Sequence, residues 1–218
     1  KSVVLKALRV KIHYELHEDL SDETSVAMAP TGSSAIQVDG DTLHHALGLP
    51  IQQFRATVNK PLTSKRLQSM KNLYAKTHAF LIVEVSMVNS NMLYLIDDRL
   101  RAITGTIEHD VIFGGLLVFV FGDLRQLAPV AGPRPYANPN TKVVGAAAAG
   151  IHLWRDTMKV YPLTIIERQN GAQAFAERLD RVSEGRHKEQ DMDTLRSRII
   201  GEPGLENAYE DPQVRDAL

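Results

Sequence analysis

The stretch that decides the fold is Leu116-Leu117-Val118-Phe119-Val120-Phe121-Gly122-Asp123-Leu124-Arg125-Gln126-Leu127. Six consecutive apolar residues end at a glycine and an aspartate, and such a run is typical of a strand that is buried on both faces. In parallel sheets, ligands bind beyond the carboxyl ends of the strands. We therefore predict a buried strand over 116–121 and look for chemistry in the polar residues that follow it.

Two other apolar runs stop at residues of the same kind. Ser25–Ala29 ends at Pro30-Thr31-Gly32, and Phe80–Val85 contains Glu84 close to its end. Helical spacing of apolar residues predicts helices between the strands: from about Val4 to Leu16, through Ala35 and Ile36, over Thr63–Lys76 and over Asn89–Ile103. Apolar strands that alternate with amphipathic helices are typical of an α/β domain, with a mostly parallel sheet covered by helices on both faces.

The C-terminal third is less regular. Residues 131–150 are rich in proline, glycine, asparagine and alanine, which predicts a surface loop. Phe175 and Leu179 indicate the start of a helix, and Leu195–Ile200 indicates one more. The polar segment 201–218 has little to bury, so we predict one domain over residues 1–200 and a poorly ordered tail over 201–218.

Composition limits the classes of protein. The chain has 218 residues, of which 44% are hydrophobic, enough for a sizeable core. Its 25 basic and 26 acidic residues give a net charge of −1, so any contact with a nucleic acid must be local. The chain has no cysteine, which excludes disulfides and thiolate metal sites and favours a reducing compartment. No apolar run approaches the roughly 20 residues of a membrane span.

Residue types alone leave each candidate open. Glu84 at a strand end is equally a helix cap or a hydrogen-bond acceptor at the edge of the core. Gln126 and His44 are consistent with ordinary loop residues, and Arg168 with a surface ion pair. The basic residues near one predicted helix favour a solvated face; they are Lys60, Lys65, Arg66, Lys71 and Lys76.

The order of five segments changes these interpretations, because together they resemble the Pif-one-like ATP-dependent DNA helicases of superfamily one. The resemblance runs from Lys1 to about Ile199. Ala29–Ala35 is similar to the family segment A-P-T-G-K-A-A and Thr42–Gly48 to T-I-H-S-x-L-G. The other three segments are Leu81–Val88, similar to L-I-I-D-E-I-S-M-V, Gly122–Val130, similar to G-D-F-x-Q-L-P-P-V, and Leu163–Gln169, similar to L-x-x-x-x-R-Q.

This resemblance implies a RecA-like P-loop NTPase domain that uses ATP and Mg²⁺. Lys1-Ser2 resembles the end of a phosphate loop whose glycines would precede the first residue, so we expect a chain cut within that loop. Lys1 would then bind the β and γ phosphates, and Ser2 would bind magnesium together with Glu84. Glu84 would also orient or deprotonate the attacking water. Gln126 would sense the γ-phosphate and Arg168 would stabilise the transition state, so both would also contact the nucleotide.

The same resemblance implies single-stranded DNA as a partner. Thr31, Gly32, Thr42 and His44 lie in the segments with which the family holds the strand. We expect a monomeric fragment, the first motor domain of a 5′-to-3′ helicase, which lacks its second motor domain and has no activity in isolation. DNA repair, recombination or telomere maintenance is the expected setting, in the nucleus or alternatively in mitochondria.

Two departures from the family pattern weaken the expectation of activity. Val83 stands where the family has its magnesium-binding aspartate, and Ser33 replaces a lysine of the A-P-T-G-K segment. Valine offers no oxygen to a metal-bound water, and serine removes one cation that would contact a DNA phosphate. Two alternatives therefore remain: a non-catalytic nucleic-acid-binding or interaction module derived from a helicase, and another kind of P-loop ATPase.

Overall fold

The computed structural model describes residues 1–16, 23–50, 61–108, 110–138, 143–164 and 173–198. The chain divides into two compact units, residues 1–162 and 163–218. The predicted tail over 201–218 lies outside the described residues, as does the predicted domain end at residue 200. Both remain predictions.

Four parallel strands form one sheet among the described residues of the first unit. They are β1 (Ser25–Ala29), β2 (Asp41–Thr42), β3 (Ala79–Ile82) and β4 (Leu117–Val120), in the order β2-β1-β3-β4. The helices are α1 (Ser2–Leu16), α2 (Gly32–Gln37), α3 (Leu43–Ala46), α4 (Ser64–Leu73), α5 (Ser90–Thr104), α6 (Ala146–Thr157), α7 (Gln173–Ser183) and α8 (Glu189–Arg196). The α/β prediction is therefore confirmed.

Each face of the sheet carries its own apolar cluster. Along β3, Phe80 and Ile82 point into a large cluster with residues of α4 and α5, whereas Leu81 points into a smaller cluster with Leu5 of α1 and Ala35 of α2. This alternation follows from the period of two in a strand. Helices therefore cover both faces, and α1 and α2 lie on the same one.

The register brings three strand ends to the same edge. Met28 of β1 pairs with Ile82 of β3, and Ile82 pairs with Val120 of β4. Hydrogen bonds continue this register past the strands, because Val83 N donates to Met28 O at 2.9 Å and Phe121 N donates to Ile82 O at 2.7 Å. The residues after β1, β3 and β4 therefore lie side by side.

Two strand predictions need correction. The strand predicted over Phe80–Val85 is β3, and it ends at Ile82. It cannot continue to Val85, because Glu84 adopts a left-handed backbone that is incompatible with a strand. The strand over 116–121 was predicted to be buried on both faces, and this was wrong. Leu117 is 53% exposed, because β4 is the outer strand of the sheet that the described residues form.

Two helices differ from their predicted positions. The loop predicted over 131–150 ends early, because α6 begins at Ala146 and alanine is the best helix former. Within α6, Gly150 lies against the backbone of Ser90, where any Cβ would overlap the Ser90 carbonyl. The last helix was predicted over Leu195–Ile200. It is α8 and begins at Glu189, where Asp191 accepts a hydrogen bond from Lys188 N and so caps the first turn.

In the second unit, Asp191 also joins α7 to α8. Its carboxylate accepts hydrogen bonds from Arg181 Nε at 2.8 Å and from Arg178 Nε at 3.3 Å. Across the parts of both units that the structure describes, no helix is both long and apolar enough to cross a membrane.

Candidate functional site

Glu84 stands at the carboxyl end of β3 in a strained conformation. Its φ of 52° and ψ of 46° are left-handed, which is uncommon for a residue with a side chain. Val85 N donates to Phe121 O at 3.1 Å and Met87 N donates to Glu84 O at 3.1 Å, so a tight turn follows. Among the described residues the partly buried carboxylate has no hydrogen-bond partner. Strain of this kind concentrates at functional sites, and the free carboxylate is available to a ligand.

Gly122 lies directly opposite this turn, at the end of β4. A Cβ at position 122 would lie 3.0 Å from Val85 N and 3.5 Å from Ser86 N. Only glycine therefore permits the end of β4 to approach the Glu84 turn so closely. This contact explains the glycine of the G-D-x-x-Q motif by sterics within the chain.

Asp123 organises the loop that carries Gln126. Its carboxylate accepts a hydrogen bond from Arg125 N at 3.0 Å, while Gln126 N donates to Asp123 O at 3.0 Å. Gln126 Nε2 lies 3.5 Å from Asp123 Oδ2. The Gln126 side chain is otherwise exposed at the sheet edge, within a turn that Asp123 holds in place.

Asp123 was not predicted as a site residue, although its position after an apolar strand was a signal. Burial alone would raise the pKa of its carboxyl, but the hydrogen bond from Arg125 N and the charges of Arg125 and Lys1 outweigh burial and lower it. Lys1, at the start of α1, is therefore close enough to Asp123 for its charge to act on this carboxyl. Lys1 and Ser2 are exposed there, and Leu5 N closes the first turn on Lys1 O at 3.0 Å.

Val83, which stands where the family has an aspartate, is packed in an apolar environment. It is 8% exposed and belongs to the smaller apolar cluster, together with Leu5 of α1, Ala29 and Leu81. The side chain therefore helps to pack α1 against the sheet. The described residues contain no group of three histidine, aspartate or glutamate side chains that would hold a metal ion.

The four residues predicted to contact DNA share the other end of the same edge. Ala29 pairs with Thr42 in the β1–β2 ladder, and Thr31 and Gly32 follow Ala29 by two and three positions. Thr31 Oγ1 accepts from Ser34 N at 3.4 Å, and Thr42 Oγ1 accepts from His45 N at 3.2 Å. Both threonine hydroxyls thus cap short helices. A structural role for them is established by these contacts, and a role in binding remains a prediction.

Gly32 and His44 differ in what surrounds them. Gly32 is open on its outer side, since a Cβ there would meet no atom of the described residues within 4 Å. His44 is half-buried, and burial lowers its pKa, so its imidazole is neutral near pH 7. A neutral imidazole can exchange a hydrogen bond with a ligand but adds no positive charge. Ser33, which replaces the family lysine, is exposed beside Thr31.

The structure thus brings Glu84 and the loop of Gln126 together at one part of the sheet edge and places the four candidate DNA contacts at another. Lys1 is close enough to Asp123 for its charge to act there, and Ser2 follows Lys1 at the start of α1. Arg168, also predicted to contact the nucleotide, lies outside the described residues, and its role stays a prediction. The grouping follows from strand order, because β3 and β4 are neighbours while β1 and β2 form the adjacent pair.

A parallel sheet, helices on both faces and reactive side chains at the carboxyl ends of neighbouring strands define a RecA-like α/β domain. The sequence profile of the PIF1-like helicases matches residues 1–193. The chain belongs to the PIF1-like helicase family.

Individual relatives support this assignment. The ATP-dependent DNA helicase RRM3 of Saccharomyces cerevisiae is 35% identical over 135 residues, which are 60% of this chain and 17% of RRM3. PIF1 of Emericella nidulans is 30% identical over 190 residues, which are 85% of this chain and 23% of that protein. The chain therefore spans less than a quarter of these two relatives.

Solved structures show the same fold. Bacteroides Pif1 bound to single-stranded DNA superposes with a TM-score of 0.64 and 25% identity, over 93% of this chain and 45% of Pif1. The Bacteroides enzyme in complex with ADP-AlF4 gives the same TM-score and identity, over 97% of this chain and 45% of that one.

Proposed function

We propose that this chain is the first motor domain of an ATP-dependent 5′-to-3′ DNA helicase. The observation that carries the proposal is the contact between the ends of β3 and β4, which places Glu84 next to the end of the strand that leads into the loop of Gln126. Relatives with this fold bind ADP-AlF4 and single-stranded DNA. ATP and single-stranded DNA are accordingly the proposed ligands here.

Each site residue has one task in this proposal. Lys1 contributes positive charge to the β and γ phosphates, and Glu84 orients the attacking water and accepts its proton. Gln126, held by the Asp123 turn, contacts the γ-phosphate or the water. Arg168 contributes a fixed positive charge to the transition state. Phosphoryl transfer depends on such positioning and electrostatics more than on covalent chemistry.

Magnesium is part of the proposal with a reduced donor set. The Ser2 hydroxyl and the Glu84 carboxylate would hold the ion, which fits its usual use of one or two carboxylates beside substrate phosphates. When bound, magnesium neutralises charge on the β and γ phosphates. Val83 supplies no third donor, so we expect weaker metal binding than in a relative with aspartate at this position.

Thr31, Gly32, Thr42 and His44 are the proposed contacts to DNA. Partly exposed hydroxyls, an exposed backbone at Gly32 and a neutral imidazole are suited to phosphate and sugar contacts without sequence preference. A complete motor requires a second domain against which ATP closes the first. We therefore propose no unwinding by the 218 residues alone, a monomeric state, and a role in repair, recombination or telomere maintenance in the nucleus or in mitochondria.

The test is ATP hydrolysis by the complete encoded protein, with and without single-stranded DNA. We expect stimulation by DNA, and we expect Glu84→Gln to lower kcat by about 100-fold or more while the Kd for ATP changes little. Glu15→Gln, which removes an exposed carboxylate at the end of α1, is the matched control and should match wild type. Hydrolysis that persists in Glu84→Gln would remove Glu84 from the mechanism.

The apolar surroundings of Val83 favour a second candidate, a non-catalytic nucleic-acid-binding module. Nucleotide binding distinguishes the two. A ligand that binds only the folded state raises Tm, so an increase with ATP and magnesium contradicts the module and an unchanged Tm supports it. The remaining alternative, a P-loop ATPase that is independent of nucleic acid, predicts hydrolysis that DNA does not stimulate.

A further inference from the structure

The segment that leads into β4 has an unusual backbone. Phe113, Gly114 and Gly115 have φ values of 51°, 63° and 79°, so three consecutive residues are left-handed. Left-handed backbone is unfavourable for a residue with a side chain. Phe113 keeps this conformation although its ring is buried in the main core, so neighbouring groups must hold it.

Asp97 of α5 is the group that holds it. Its buried carboxylate accepts a hydrogen bond from Phe113 N at 2.5 Å and another from Arg101 Nε at 3.0 Å. Arg101 also donates from a terminal nitrogen to Glu108 O at 2.6 Å, at the start of the same connection. Asp97 and Arg101 together tie both parts of the α5–β4 connection to one helix.

The neighbouring glycine fits the same contact. A Cβ at Gly114 would lie 2.9 Å from Leu100 O and would overlap Thr104 Oγ1. Gly114 therefore lets the connection lie directly on the last turns of α5. Two residues after Gly115, β4 begins, with Leu117 N donating to His78 O at 2.9 Å.

The apolar sequence of β4 does not specify its own register. Val118 and Val120 pack on one face and Phe119 and Phe121 on the other, so a shift by one residue would exchange apolar side chains for apolar side chains. Registers are strongly specified only where apolar and polar faces differ. Specific anchors must therefore define where this strand begins and ends.

We propose that Asp97 is a positioning residue that sets the register of β4 against β3. Its hydrogen bond to Phe113 N fixes where the strand starts. At the other end, the close contact with Val85 favours glycine at the position that Gly122 occupies. A shift by one position would displace Asp123 and Gln126 by about 3.3 Å relative to Glu84, the rise of one residue in a strand. The catalytic consequence rests on the proposed function, whereas the register itself does not.

The test measures the register directly. The chain has no cysteine, so nitroxide labels will attach only to cysteines that are introduced. The double variant Leu73→Cys and Leu127→Cys therefore carries a single pair of nitroxides. Both positions are well exposed, at the end of α4 before β3 and in the loop after β4. Pulsed electron paramagnetic resonance then reports the distance between a fixed helix and the end of β4.

We expect Asp97→Ala to change the distance between the two nitroxides by about 3 Å, or to add a second population whose distance differs by that amount. Asp97→Asn should restore the wild-type distance, because its amide oxygen still accepts from Phe113 N. Arg101→Gln, which removes the ion pair and the hydrogen bond to Glu108 O but leaves the bond from Phe113 N to Asp97, should also keep it. If Asp97→Ala does not fold, Asp97→Ser replaces it, since the serine hydroxyl is too short to reach Phe113 N.

A single wild-type distance in folded Asp97→Ala or Asp97→Ser would overturn the proposal, even if stability falls. A displacement of equal size in Asp97→Asn would also overturn it, because the hydrogen bond to Phe113 N would then not be what sets the register. Loss of ATP hydrolysis in Glu84→Gln is independent of all these distances, so failure of the proposed function is distinguishable from failure of this inference.

Discussion

Gly122 faces Val85 so closely that a Cβ at position 122 would lie 2.8 Å from Val85 Cγ1. Val85 N is itself hydrogen-bonded to Phe121 O, so the contact joins the end of β4 to the turn that follows Glu84. Glycine at position 122 therefore lets the end of β4, which leads to Gln126, lie against the turn after Glu84.

This contact predicts the effect of Gly122→Ala. The added methyl group overlaps Val85, and overpacking of this kind costs about 1–3 kcal/mol. Urea unfolding should show the loss, and hydrolysis should fall because Gln126 moves away from Glu84. Gly32→Ala is the control for stability, since open space surrounds that position. Equal stability of the two variants would show that the β3–β4 contact can relax at no cost.

Val83→Asp tests the apolar side of the site. An unpaired carboxylate in the cluster of Leu5 and Ala29 should lower the free energy of unfolding by about 3 kcal/mol at pH 7.5. Burial raises the pKa of the introduced carboxyl in the folded state, so the penalty is full above that pKa and shrinks as the pH falls towards about 4. The measurement is urea unfolding at pH 7.5 and pH 4.5.

Val83→Asn is the matched uncharged control, and its cost should be the same at both pH values. A cost of Val83→Asp that does not change with pH would contradict this account. Magnesium with ATP should stabilise Val83→Asp more than Val83→Asn, because only a carboxylate adds an ionic ligand.

Two threonines cap helices, and comparing them distinguishes a structural role from a role in DNA binding. Thr42 caps α3 and Thr63 caps α4, and their hydroxyls accept from His45 N at 3.2 Å and Arg66 N at 3.3 Å. Replacement of either by alanine should cost about 1 kcal/mol. Only Thr42→Ala should also weaken binding of a fluorescent single-stranded oligonucleotide, measured by anisotropy at fixed salt. Equal affinities of the two variants would leave Thr42 with a capping role alone.

The hydrogen bonds of Asp191 lead us to predict that the packing of α7 against α8 is sensitive to acid. Hydrogen bonds from Arg181, from Lys188 N and from Arg178 hold the pKa of this carboxyl well below its usual range. A carboxyl with a depressed folded pKa contributes stability above its unfolded pKa, about 3.9, and loses it as the pH falls further. Amide hydrogen exchange in α7 and α8, measured relative to the intrinsic exchange rate at each pH, should therefore accelerate below about pH 4.

Asp191→Asn should produce the same acceleration at pH 7, because the amide cannot pair with two arginines. Asp193→Asn is the control, since that carboxylate is exposed on the same helix. Unchanged exchange in Asp191→Asn would show that apolar packing alone holds the pair.

Strand and helix periodicity in the sequence predicted most of the fold. β1 and α2 lie where their apolar patterns place them, and α5 differs from its predicted range by one residue at each end. Ends were less predictable, because they depend on single contacts. Glu84 ends β3 through a left-handed backbone, and Asp191 starts α8 through a cap.

The site followed the same division. Lys1, Ser2, Glu84 and Gln126 were predicted from their motifs. The register of β3 and β4 places Glu84 and the loop of Gln126 at one edge of the sheet, and the roles of all four residues stay predictions. Asp123 was missed because its importance lies in what it holds, namely the turn of Gln126 and Arg125. The pattern of apolar residues contains no information about such a contact.

The sequence by itself determined the α/β class, the strand-end motifs and the loss of a carboxylate at Val83, because these depend only on residue type and local period. Tertiary structure alone decided that Val83 packs against α1, that Gly122 must lack a side chain and that Asp97 supports Phe113. Each of these relationships joins residues that are distant along the chain or on different elements. Their distances arise only when the sheet and the helices have assembled.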